Sequence, residues 1–395
     1  MAATQFKGIH VGAVGPSERA EGCPRGSAGD APMGPDCAEW CAPFVAEGIG
    51  RYVANEARAR MEIVTVGDAS IPVVLNDGGS RGCYLTSPSC HYCAYAADAI
   101  ESKLYSRIRG RLSGLGLRAL AVWARREQLD RVASVNNWML STNPAPTLGQ
   151  REVRELTSSL VGRFPDHALV FRTVERGRGS LAEGLEAAGW WRMPNRLVFQ
   201  WDPDRLPMLG RKCRQTLRRE RQAIATHGYR SMPIGEAIQG AGAARIRELY
   251  RDLYVGKHSR WNPDFTLPWF EHAAIQGWMS WRCLARDGRV DGFSAWYEEA
   301  DRITAMVLGY DRTMTDVPLY RMLVADVLAE GERCGKPVFL SSGAGRFKQL
   351  RGAEARWEFE YVHDGHLRRA RRAPWRALKV LYERLADGFY AGGNF

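Results

Sequence analysis

The run Leu340-Ser341-Ser342-Gly343-Ala344-Gly345-Arg346-Phe347-Lys348 holds the densest set of residue types that could do chemistry. A short apolar strand starting at Pro337 breaks there into small residues, then delivers two cations and an aromatic ring. Glycine lets the backbone approach a ligand closely, and loops carried by a rigid scaffold are where binding groups concentrate. Ser341, Ser342, Gly343 and Arg346 are therefore candidates to touch a substrate. The plainer reading of the same residues is a strand followed by a solvated basic turn.

Two other groupings stand out. From Leu209 to Ala225 the pattern predicts a helix with Arg211, Arg214, Arg218 and Arg221 at steps of three, four and three. That spacing puts four guanidinium groups on one face. Such a face suits the phosphates of a nucleic acid, or is a solvated helix surface. Cys90-His91-Tyr92-Cys93 has the CxxC spacing of a zinc or redox half-site. Zinc needs a second ligand pair, and Cys37 and Cys41 offer one only at a non-standard spacing, so no metal is expected.

The elements that must position these groups come from a chain of 395 residues, long enough for about two to three domains. With 45% hydrophobic and 25% charged residues it reads as a soluble globular protein. No apolar run approaches the roughly 20 residues of a membrane span. No secretory signal opens the chain, so a cytoplasmic location with nine reduced cysteines is expected. A net charge of +11 favours anionic partners: RNA, phosphorylated co-substrates or acidic surfaces.

Residues 1–37, rich in Gly, Ala, Pro and Ser, are expected to form a mobile tail. Val45 to Met61 predicts a helix, and Met61–Val66 and Ile71–Leu75 predict strands. Asn76-Asp77-Gly78-Gly79 predicts a hairpin turn into a further strand. Ala97–Gly116 predicts a basic helix with Ile100, Leu104, Ile108 and Leu112 on one side, and Leu117–Trp123 a strand. Helices at 147–164, 181–188, 243–254 and 319–334 alternate with strands at 168–172, 197–201, 281–285, 292–298, 302–309 and 357–362. A basic amphipathic helix, Arg376 to Phe389, follows. This alternation predicts an α/β (α+β) protein of mixed sheets flanked by helices. The expected division is an N-terminal unit over 38–202, a C-terminal catalytic unit over 203–365, and the basic helix over 366–395.

Gly288-Arg289-Val290-Asp291-Gly292-Phe293, Leu308-Gly309-Tyr310-Asp311, Pro318-Leu319-Tyr320-Arg321-Met322-Leu323, Ser341-Ser342-Gly343 and Phe347-Lys348 carry a resemblance. They look like the acyltransferases of the GNAT superfamily, in particular the tandem branch with the Fem-type, aminoacyl-tRNA-dependent peptidyltransferases. The similarity is clearest over about residues 205–365. It implies two GNAT-like units and transfer of an acyl group from an ester or thioester to an amine or hydroxyl. In the Fem-type enzymes an aromatic-Lys pair after the penultimate strand lies near the charged ester. Phe347 and Lys348 resemble that pair: Lys348 would polarise the carbonyl or hold the oxyanion, and Phe347 would stack on the terminal adenine.

Within that resemblance, Tyr310, Asp311 and Tyr320 flank a loop on the site side, and His258 shares a polar loop with Asn262. A histidine can take an acceptor's ammonium proton near neutral pH, or simply cap backbone. Asp311 would anchor the acceptor amine or terminate its strand. Acyl-CoA-dependent members usually carry a glycine-rich loop before the helix after the third strand, which holds pyrophosphate on backbone N–H groups. Here that segment is Asp311-Arg312-Thr313-Met314-Thr315-Asp316-Val317-Pro318, which has no glycine. The leading expectation is thus aminoacyl-tRNA as co-substrate, a small-molecule amine as acceptor and no bound cofactor. The alternatives are an acyl-CoA-dependent N-acyltransferase of the same fold and a non-catalytic RNA-binding module.

Overall fold

The computed structural model describes residues 36–98, 107–175, 177, 179–275 and 277–392. The expected mobile tail lies outside the described residues up to residue 35, as do Ile100 and Leu104. Eleven strands form one mixed sheet: β1 Arg60–Val66, β2 Ala69–Asp77, β3 Arg131–Val135, β4 Ala168–Glu175, β5 Trp191–Trp201, β6 Arg230–Pro233, β7 Met279–Arg286, β8 Arg289–Glu298, β9 Ile303–Tyr310, β10 Val338–Phe339 and β11 Glu354–His363. Their spatial order is β1-β2-β3-β4-β11-β5-β10-β9-β8-β7-β6. Only the pairs β3/β4 and β9/β10 are parallel. The helices are α1 Cys37–Glu47, α2 Ile49–Tyr52, α3 Arg107–Arg126, α4 Gln150–Arg163, α5 Leu181–Ala187, α6 Arg211–Thr226, α7 Ile234–Arg251, α8 Leu267–Ile275, α9 Leu319–Cys334, α10 Gly345–Gln349 and α11 Arg369–Gly392. The mixed α/β fold with helices flanking a large sheet is the one the alternation predicts.

Several local expectations are corrected. The expected helix at 45–61 starts earlier, because Asp36 accepts from the N–H of Ala38 and Glu39 and caps α1. Gly48 ends that helix at φ +85°, and residues 60–61 are already strand. The first hairpin turns at Gly67-Asp68, not after Asn76. Asn76 is buried, donating to the carbonyls of Ser80 and Thr86 and accepting from the N–H of Gly78 and Ser80, so it staples a loop. Leu117–Trp123 is helical within α3, with Leu117, Ala121 and Ala124 buried at steps of four and three. A short apolar run does not reveal its period, which is why it read as a strand.

The core has several parts. One cluster gathers Trp40, Phe44, Trp269, Phe270, Trp281 and Phe293; another packs Leu156, Leu160, Phe171 and Trp190. In α9 the predicted inner residues Leu319, Met322, Leu323, Val327 and Leu328 are all buried, and Gly335 closes the helix in the left-handed region at φ +64°. The strand β11, from near the end of the chain, lies between β4 and β5, among strands of the first half.

One detail of register makes room for a site. β10 pairs with β9 only through Val338↔Ile303 and Phe339↔Thr304. Beyond Phe339 the chain follows β5, where Leu340 N–H donates to Phe199 O and Phe199 N–H donates to Ser341 O. β9 meanwhile continues to Tyr310, so the two strands part.

Candidate active site

A cavity of about 530 Å³ opens at that parting. Tyr310 at the end of β9, Tyr320 in the first turn of α9 and Phe347 on α10 form an aromatic wall. The Tyr320 ring centroid lies 6.0 Å from Tyr310 and 4.9 Å from Phe347. Lys257, Arg312 and Arg321 add cations to the rim, and all three are exposed. Behind the wall the Arg351 guanidinium lies 3.3 Å from the Phe347 ring centroid. It donates to Phe347 O at 2.7 Å and to both carboxylate oxygens of Glu220, which is buried on α6. A buried bidentate pair of this kind fixes the ring in place.

Of the residues singled out in the sequence, the fold brings Tyr310, Asp311, Tyr320 and Phe347 to this cavity. Lys348 is placed behind the wall instead, 4% exposed. Its Nζ donates to the carbonyls of Leu340 at 2.7 Å, Ser341 at 3.2 Å and Ser342 at 2.9 Å. An ammonium has three N–H donors, so all are occupied and none is left for an oxyanion. The carbonyls converge because Ser341, Gly343 and Ala344 adopt φ of +57°, +80° and +49°. Gly345 is required as well: a Cβ there would sit 2.6 Å from the Phe199 ring. Burial, with the Arg196 charge adding to it, pushes the Lys348 ammonium down to about 7.

Asp311 lines the cavity with its carboxylate engaged. It accepts from Arg245 at 2.7 Å, from Arg289, and from the Thr313 N–H and hydroxyl at 3.0 and 2.6 Å. Burial works to raise this carboxyl, but the Thr313 hydrogen bonds and Arg245 outweigh it and hold it at about 2. It is a fixed anion that ties the loop to β8, not a proton acceptor at neutral pH. Asn262 is buried, with its amide donating to Tyr254 O and Ser259 O, so it holds its own loop together. His258 is exposed at the end of the π-helix Asp252–His258, where its neighbour Lys257 reaches the cavity instead. Ser341, Ser342 and Gly343 form the turn before α10, Arg346 lies within that helix, and none of the four is among the residues lining the cavity.

Residues 211–338 match the family described as Acetyltransferase (GNAT) domain. That segment runs from α6 to the first residue of β10 and so contains β9, α9 and the loop between them. The chain carries a GNAT acyltransferase domain over that segment. No curated protein matches its sequence. Among solved structures it is similar to L-PGS from Bacillus licheniformis, at 14% identity and a TM-score of 0.43, over 58% of this chain and 78% of that one. It is similar to FemX at 10% identity and a TM-score of 0.42, over 59% and 81% of the two chains. It is also similar to a GCN5-related N-acetyltransferase from Kribbella flavida, at 14% identity and a TM-score of 0.35, over 85% and 98%. At such identities and scores these likenesses carry no argument about chemistry.

In the acyltransferase the loop before α9 directs its N–H groups inward. Thr315 N–H donates to Thr313 O, and Leu319 N–H donates to Val317 O at 2.8 Å. Pro318, at the N-cap, has no N–H. The acyltransferase also divides its α6 arginines in a way the spacing did not foresee. Arg214 donates to the carbonyls of Pro207 and Leu209, and Arg221 pairs with Glu332 on α9. Arg211 and Arg218 are exposed and are joined by Lys212 and Arg219. Leu217 and Glu220 face inward, which turns the outward face toward Arg211, Lys212, Arg218 and Arg219.

The two cysteine pairs are not brought together. Cys37 and Cys41 pack with Trp40 and Phe44, while Cys93 packs with Tyr92 and Ala121 in a separate cluster. Burial pushes the thiols of Cys90 and Cys93 up to about 11 and about 12, away from the thiolate that binds metal. Sequence reasoning missed Lys257, Arg312, Arg321 and the Arg351–Glu220 clamp. Arg351 stands four residues after Phe347, the spacing that brings side chains together on a helix, and that signal was readable.

Proposed function

We propose that this acyltransferase takes an aminoacyl group from charged tRNA and joins it to the amine of a small-molecule acceptor. The observation that carries the reading is the cavity at the β9–β10 parting, with three aromatic rings along one wall and cations on its rim. A terminal adenine would stack on Tyr320 and Phe347, a contact worth about 1–3 kcal/mol per base. Its phosphates would meet Lys257 and Arg321. The outward face of α6, with Arg211, Lys212, Arg218 and Arg219, adds a surface for the rest of the RNA. In the transfer the neutral amine nitrogen attacks the ester carbonyl, the C–N bond forms as the C–O bond breaks, and the ribose oxygen leaves with the electron pair and takes up the proton that the nitrogen loses. The site's part in this is to hold both reactants in line. Charged tRNA as donor also places the protein in the cytoplasm.

A second reading, an acyl-CoA donor, is favoured by the match to a GNAT acetyltransferase domain. Against it, a pyrophosphate needs free N–H groups at the start of α9, where Pro318 has none and Leu319 donates to Val317. The test is to purify the protein at low salt and ask whether bound material is destroyed by ribonuclease. Charged tRNA would then be offered with pools of small amines and acylated amine sought as product. Bound tRNA whose affinity falls steeply with salt supports the reading. A protein free of RNA that is stabilised by CoA overturns the donor and leaves the acyltransferase standing.

A further inference from the structure

A second, half-open cavity is lined by residues of the segment 84–92 and by Glu360 of β11, and shares no lining residue with the cavity at the parting of β9 and β10. It encloses about 230 Å³ including its mouth, and its lining includes Tyr84, Thr86, Ser87, His91, Arg172 and Glu360. Its free interior, about 10 Å³, admits one group the size of a water molecule or an ammonium.

One polar atom of a residue that lines this cavity, His91, is bare. The amide of Asn195 donates through Nδ2 to Glu358 at 2.9 Å, and Glu358 is held by Arg196 at 2.7 Å. A carboxylate only accepts, so the Asn195 oxygen faces the other way, 2.8 Å from His91 Nε2. His91 Nε2 must then carry the proton, which leaves Nδ1 with a lone pair. Nδ1 is buried and has no hydrogen-bond partner. Such an atom calls for an N–H or O–H donor from a ligand or a water.

Glu360 in the wall, and carboxylates bonded to other lining residues or through Asn195, bear on the charge of that donor. Glu56, Asp130, Glu358 and Glu360 are all buried. Among the described residues two guanidinium groups pair with these four carboxylates: Arg172 with Glu360 and Arg196 with Glu358. Among the described residues, Glu56 is held by neutral donors, the N–H of Arg58 and Ala59 and the hydroxyls of Ser80 and Thr86. Asp130 is likewise held by Ser87 and Ser89. Thr86 and Ser87, which line the cavity, donate to two carboxylates that form no ion pair among the described residues. Buried charge without a partner is costly, and a cation in the cavity would relieve it.

We propose that this chamber binds a primary ammonium group; resting on the transfer reading above, the group belongs to the amine-bearing acceptor. Its three N–H donors would meet the His91 Nδ1 lone pair, the Glu360 carboxylate and a hydroxyl oxygen of Thr86 or Ser87. A quaternary ammonium has no N–H and is too large, so it is excluded. Burial lowers the His91 imidazolium's stability, Arg172 and Arg196 adding to that and Glu360 opposing it, so the ring stays neutral and accepting. The phenols of Tyr84 and Tyr92 face the same ring, and burial raises both.

The test uses the full chain labelled with nitrogen-15 in histidine, with the His91 signals identified from a His91→Gln variant. Methylammonium is expected to shift the Nδ1 resonance saturably, and tetramethylammonium to leave it in place. Glu360→Gln is expected to weaken methylammonium about tenfold, roughly 1.4 kcal/mol. Should that variant unfold, Ser87→Ala supplies the same comparison. Equal responses to the two ions, or a free protein with its proton on Nδ1, would overturn the proposal. Donor binding is read separately: methylammonium binding without tRNA or CoA binding sinks the transfer reading and spares the chamber, and the reverse sinks the chamber alone.

Discussion

Around the β9–β10 parting, Lys257 and Arg321 stand exposed beside three aromatic rings, whereas around His91 four carboxylates are buried with two arginines among them. Both regions hang from one sheet. They differ in what the fold leaves uncommitted. At the open cavity it is the exposed cations and ring faces that are available, and the nearby Lys348, Asp311 and Asn262 are spent on holding backbone and loops. In the chamber beside His91 the charges are locked in place and one nitrogen lone pair is bare. The difference teaches that a residue's type says little about its availability. Lys348 looked like the reactive group and is a strut, while Lys257, in a loop that looked merely polar, reaches the cavity.

The sharpest way to break this comparison is to remove charge from each region and measure stability. Glu360→Ala strands Arg172 in the interior and is expected to cost about 3–5 kcal/mol in chemical denaturation. Lys257→Ala and Arg321→Ala, at exposed positions, are expected to stay within about 0.5 kcal/mol. Similar losses in both places would mean that the cavity at the β9–β10 parting is as locked as the one beside His91.

Ring contact is the next largest effect. Phe347→Ala is expected to weaken binding of a tRNA 3′-terminal fragment by about 1–3 kcal/mol, read by titration, with little change in salt dependence. An unchanged affinity would remove the aromatic wall from the donor site.

The Asp311 loop gives a pH signature. Its folded carboxyl sits at about 2, below the ordinary value of 3.8. Between those values the unfolded chain binds more protons, so stability must fall as pH drops through the window. Acid titration of Asp311→Asn is expected to lose that part of the fall.

The smallest effect separates arginines that share a helix. Replacing Arg211 and Arg218 with alanine together is expected to reduce the slope of log affinity against log salt for tRNA by about two. Arg214→Ala is expected to leave the slope unchanged and lower thermal stability slightly, because its guanidinium caps the Pro207 and Leu209 carbonyls. If all three behave alike, the α6 face binds nothing.

Much of the fold was legible in the chain. The helix 319–334 was readable to the residue, since Leu319, Met322, Leu323, Val327 and Leu328 repeat at helical spacing and Gly335 stops it. β7 and β8 were readable around Asp287-Gly288 for the same kind of reason, a turn flanked by apolar strands. β3 was not: five residues leave no period to detect. The Asn76 turn failed because a buried amide with four backbone partners outweighed local hairpin preference. In the candidate site, Tyr310, Tyr320 and Phe347 were found through the resemblance to the GNAT superfamily, which pointed to the loop after Tyr310 and to the aromatic-Lys pair. Lys257 and Arg321 were missed because exposed cations are common.

By itself the residue pattern determined the class of fold, the basic character and the strand that breaks at Ser341. Local rules suffice for these, because helical and strand periods, glycine stops and net charge are properties of neighbours in the chain. Tertiary structure alone decided that β11 inserts between β4 and β5, that Lys348 caps three carbonyls, and that Arg214 and Arg221 leave the helix face to Arg211 and Arg218. It also decided that Glu358, through Asn195, bares the lone pair of His91. Each of these depends on which distant backbone or carboxylate lies within hydrogen-bond reach, and sequence spacing holds no record of that.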